Sequence, residues 1–104
     1  MNEEVIQKIL NYRNNICSKP DPNLSGVDIR KSSYELWAID EILWSLWNHP
    51  FMDAETVIEN FIITMQYFLH ISESETASSI FTIAENTAED ILLSLILEQQ
   101  NTVF

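Results

Sequence analysis

With 104 residues and 46% hydrophobic content, the chain reads as one domain, 1–104, able to build a core, so its acidity does not signal disorder. The net charge of −11 is segregated: the five Lys and Arg residues (Lys8, Arg13, Lys19, Arg30, Lys31) all fall by position 31, leaving about +1 in that stretch and about −12 after it. Such a surface repels polyanions and attracts cations, which argues against direct nucleic-acid binding and against docking on anionic membrane.

One glycine (Gly26) and three prolines (Pro20, Pro22, Pro50) leave the second half of the chain without a breaker, which favours helices over a β-sandwich. The expected fold class is all-α, an up-down antiparallel bundle of four or five helices. Helix 1 is predicted from Glu3 to Ser18, where Val5, Ile9, Tyr12 and Ile16 recur at helical spacing. Residues 19–31 are expected to be a connecting segment, because Pro20 and Pro22 break the helix; 27–31 can add a helical turn. Helix 2 is predicted from Ser33 to Asn48, with Ser32 and Glu35 as a capping box and Pro50 as its stop. Asp53 is expected to cap helix 3, with Met52 and Val57 as a hydrophobic staple and the helix running to about His70. Ser72 to Ser74 form a turn, with Ser72 and Glu75 as the next cap. Helix 4 keeps one apolar phase through Ala77, Phe81, Ala84, Ala88, Ile91 and Leu95 to about Gln99. A fresh capping box at Asn86 and Glu89 is the rival reading. Residues 100–104 form a short tail. Most aromatic residues are expected in the core, since helical spacing is what a core looks like.

Two charges fall on apolar faces. Asp40 lies three and four residues from Trp37, Leu43, Leu36 and Trp44, and Arg13 has the same relation to Ile9, Leu10, Ile16 and Cys17. A lone buried charge is too costly to keep. The spacing therefore suggests a structural ion pair, Arg13 with Asp40, buried or half-buried between helices 1 and 2.

Few catalytic templates fit. One glycine excludes phosphate-binding glycine loops, and one cysteine with two distant histidines excludes a structural zinc site. Glu55 and Glu59 on helix 3, with Glu85 and Glu89 on helix 4, could hold Mg²⁺ or Ca²⁺ only if they converged; two solvated acidic faces are the simpler reading. No cofactor and no metal are expected. Cys17 reads as a buried structural thiol, and its solitude fits a reducing, cytoplasmic compartment.

The leading expectation is a non-enzymatic acidic interaction protein that binds a basic protein surface, in an inhibitor, immunity- or antitoxin-type, mobile-element or adaptor role. Trp37, Glu41, Glu55 and Glu59 are the candidate partner-binding residues. The alternative is a self-associating structural protein, a homodimer through Leu93 and Leu97, which lie opposite the main stripe of helix 4. A divalent-metal-dependent helical enzyme is a distant third.

Overall fold

The computed structural model describes residues 3–17 and 26–101, and the side chains of 3–17 and 31–97. Four helices follow one another: α1 (Glu3–Cys17), α2 (Gly26–Asn48), α3 (Ala54–Ile71) and α4 (Glu75–Asn101). They form an all-α bundle in which α4 packs most extensively on α3 and next on α2, while α1 lies on α2. The α3–α4 pair is antiparallel. Gln66 Nε2 donates to Glu85 Oε1 at 3.0 Å, and Phe68 faces Phe81 with ring centroids 5.3 Å apart, so residue numbers fall along one helix as they rise along the other.

The core follows the apolar phase. Ile9, Ile39, Ile42, Leu46, Ile58 and Ile91 anchor one buried cluster. Ala38, Met65 and Ala84 form a second, with Phe61 and Phe81 packed against it. The fully buried Ala38, Ala84 and Ala88 bear only methyl side chains, which lets α4 approach its neighbours closely. Among the described residues Thr87 is the buried polar side chain. Its Oγ1 donates to the Ile83 carbonyl at 2.8 Å, so it is satisfied inside α4 and the helix runs unbroken across Asn86-Thr87.

Several local expectations need correction. Helix α2 begins at Gly26, so 26–31 belongs to the helix and Ser32 with Glu35 lies in its interior instead of capping it. No proline or further glycine stands between Gly26 and Ser32, so the first breaker-free residues already propagate the helix. Asp53 occupies the cap position of α3 with extended backbone, yet its side chain makes no capping bond; its carbonyl accepts from Val57 N at 3.1 Å. Met52 packs against the cluster that contains Val57. At the next turn Ser74, not Ser72, caps α4: Ser74 Oγ accepts from Ala77 N at 2.9 Å. Ser72 closes α3 instead, its N–H donating to the Leu69 carbonyl. Asn101 still belongs to α4, so the helix takes up the start of the expected tail. Residues 18–25 and 102–104, including the proline segment and the rest of the tail, lie outside the described residues.

The aromatics also depart from the expected core. Trp44 and Trp47 are 67% and 77% exposed, and Phe51, Tyr67 and Trp37 face solvent as well. The apolar arc of α2 is wider than its neighbours can cover. Among the described residues no helix is long and apolar enough to cross a membrane.

Candidate interaction surface

Helices α2 and α3 meet only sparingly. Between them lies an open groove of about 530 Å³. Its apolar lining comes from Met52, from Val57, Phe61, Met65 and Phe68 of α3 and from Phe81 of α4, while α2 contributes Trp37, Glu41 and Ser45, with His49 just past its end. Trp37 leans on Phe61 with ring centroids 6.4 Å apart and an interplanar angle of 52°, and it stays 39% exposed. Glu41 is one helical turn from Trp37 and lines the same groove. Among the described residues it has no ion pair or side-chain hydrogen bond. Thr64 Oγ1 donates to the Asn60 carbonyl at 2.8 Å.

Asp40, next to Glu41, has a different fate. Arg13 Nε lies 2.8 Å from Asp40 Oδ1, bridging α1 and α2. The pair expected from the spacing forms, at the open end of the buried-to-half-buried range: the Arg13 and Asp40 side chains are 35% and 54% exposed. Both charged side chains therefore keep contact with water. The hydrogen bond to Asp40, with the charge of that carboxylate, raises the Arg13 pKa. Arg13 Nη1 also lies 4.0 Å from Cys17 Sγ. Cys17 is exposed, contrary to the buried thiol expected, because it falls with Leu10 on the flank of the α1 stripe.

The other predicted site residues do not assemble with Trp37 and Glu41. Glu55 and Glu59 share a face of α3 with Ile62 and Gln66, which looks toward α4 and Glu85, and neither lines the groove. Among the described residues no three His, Cys, Asp or Glu side chains gather as metal ligands would, so Glu55, Glu59, Glu85 and Glu89 do not converge. Leu93 and Leu97 are 56% and 50% exposed, one turn apart on the outer side of α4.

A smaller polar pocket of about 250 Å³ is formed where Tyr12, Lys31, Glu35, Asn86, Thr87 and Asp90 meet. Burial pushes the Tyr12 pKa up, and the charges of Asp90 and Glu35 push it further the same way. Phe61 and Phe81 pack against the core as their spacing implies, and with Phe68 they also line this groove, which spacing alone does not reveal. The signal available was the width of the apolar arc on α2, which three tryptophans extend beyond one packing stripe. Compared with family models, curated proteins and solved structures, the chain matches none.

Proposed function

We propose that this chain is a non-enzymatic interaction protein that binds a cationic surface on another protein. The observation that carries the reading is the absence of any Lys or Arg beyond position 31 while twelve acids follow. Ordinary surface helices interleave the two signs so that residues three or four apart stabilise one another. Here the acids of α3 and α4 meet no basic neighbour but His70 on their own helices. Long-range attraction speeds encounter with a basic partner, and exposed aromatic residues such as Trp37 then supply residence time. An inhibitor, an immunity- or antitoxin-type partner, a mobile-element protein and an adaptor all fit this physics. The lone Cys17 suits a reducing compartment, and the cytoplasm is the proposed location.

The test is affinity capture from native cell extract at low and high salt, with mass spectrometry of what elutes. A basic protein should be retained at low salt and released at high salt. A captured partner whose affinity is unchanged by Trp37→Ala, Glu41→Gln, Glu55→Gln and Glu59→Gln together would overturn the reading.

A second reading, self-association, is favoured by the paired exposure of Leu93 and Leu97 on α4. It is compatible with the first.

A further inference from the structure

We propose that the α2–α3 groove seats an amphipathic basic α-helix of the partner, with one arginine held between the Trp37 indole and the Glu41 carboxylate. The proposal rests on the reading above, that the acidic surface binds a cationic protein, and names the element bound.

The groove selects a helix on hydrogen-bonding grounds. Its walls come from α2, α3, the residues joining them and Phe81 of α4, and every element among the described residues is a helix, so they offer no strand edge for an extended peptide to extend. An extended segment pressed onto Phe61, Met65, Phe68 and Phe81 would leave backbone donors and acceptors facing apolar side chains, at a cost comparable to lost hydrogen bonds. A helix arrives with its backbone satisfied and offers an apolar stripe at i, i+3, i+4 and i+7. From Trp37 to His49, just past the end of α2, this wall is about 18 Å long, which matches about three turns of a docked helix.

The sign of the partner's charge follows from what α2 leaves unmatched. Of its two adjacent acids, Asp40 is held by Arg13, whereas Glu41 lines the groove with no ion pair among the described residues. An incoming cation therefore meets Glu41, with the partly open Trp37 one turn away. An indole face beside a carboxylate favours arginine over lysine, since the planar guanidinium stacks on the ring while its fork of donors engages both carboxylate oxygens.

The test uses the full chain and a labelled synthetic peptide of about 14 residues, long enough for its middle three turns to lie in the groove. The peptide carries leucines at i, i+3, i+4 and i+7, one arginine beside them, and lysines elsewhere. Its controls are a scramble of identical composition and a version with the arginine replaced by lysine. Fluorescence anisotropy at about 0.15 M salt reads the affinities. The amphipathic peptide should bind at least about tenfold more tightly than the scramble, and more tightly than its lysine version. Glu41→Gln and Trp37→Ala, each checked for intact helix by circular dichroism, should abolish the arginine preference, and Leu93→Glu should not. Equal binding of peptide and scramble overturns the groove proposal while leaving the acidic-surface reading standing. An arginine preference that survives both variants overturns the Trp37–Glu41 assignment. Absence of binding by every basic peptide, at low salt as well, overturns this proposal and the reading beneath it.

Discussion

The Arg13–Asp40 bridge is a surface interaction, and its strength can be worked out from its setting. The Nε–Oδ1 distance of 2.8 Å is that of a good charge-assisted hydrogen bond. Two unit charges about 4 Å apart attract by about 1 kcal/mol in bulk water and about 4 kcal/mol at the dielectric of a protein surface. With one side chain 35% and the other 54% exposed, the pair sits between these limits. Fixing a long arginine stem costs up to about 2 kcal/mol of rotamer entropy. The net should be about 0.5–1 kcal/mol. A double-mutant cycle of Arg13→Met and Asp40→Asn, followed by urea denaturation, reads this coupling directly. With a slope of about 1–3 kcal/mol/M, a coupling of that size displaces the midpoint by a few tenths of a molar. It should shrink when salt is raised to about 0.5 M. A salt-insensitive coupling of about 3 kcal/mol or more would refute the reasoning, since only a desolvated pair reaches that value. Strictly additive losses would refute the bridge itself.

Three further outcomes rest on the cap of α4, the setting of Tyr12 and the outer face of α4. Ser74→Ala should lose about 1 kcal/mol through the bond to Ala77 N, whereas Ser32→Ala, inside α2, should be neutral or slightly stabilising in the same urea assay. Tyr12 holds its proton above the ordinary tyrosine value of about 10, so the folded state gives it up later than the unfolded chain. The resulting stability is intact below about pH 10 and fades as pH rises through the folded pKa; Tyr12→Phe should flatten that alkaline loss in thermal melts taken from pH 9 to 11. If Leu93 and Leu97 bury each other across two copies, light scattering on a sizing column should give about twice 12.1 kDa, falling to one copy for Leu93→Glu with Leu97→Glu. A wild-type monomer across micromolar concentrations would remove that reading.

The sequence carried the helices well and their caps poorly, for a physical reason. Periodicity sums over many residues, so the stripes Val5–Ile9–Ile16 and Ala84–Ala88–Ile91–Leu95 specified α1 and α4 to within a few residues at each end. A cap depends on one side chain reaching one N–H. Ser72 has Glu75 three residues on and so fits the capping box, whereas Ser74 has Ala77 there, yet the geometry of the turn selects Ser74. Ser32 matches a capping box but had no unpaired N–H to serve once α2 started at Gly26. The ion pair was legible because Arg13 and Asp40 each interrupt an apolar face. Its exposure was not, since the position of each face against its neighbours is a tertiary matter. The same limit hid the groove. Spacing places Phe61 and Phe68 on the inward side of α3, but how sparingly α2 and α3 would meet cannot be read from either helix alone.

Charge segregation also gives the folded chain an unusual protease map. Every bond that trypsin can cut lies at or before Lys31, and that residue is already inside α2. Cleavage after Lys31 requires the first two turns of α2 to unwind into the enzyme, while α3 and α4 hold no site at all. Where opening and closing are fast relative to cutting, the rate of loss at this point reports the free energy of that local opening. The product, 32–104, retains α3, α4 and most of α2 but loses α1 with Ile9, so digestion strips one helix from the core in a single step. The bundle thus contains its own reporter of how firmly the start of α2 is held.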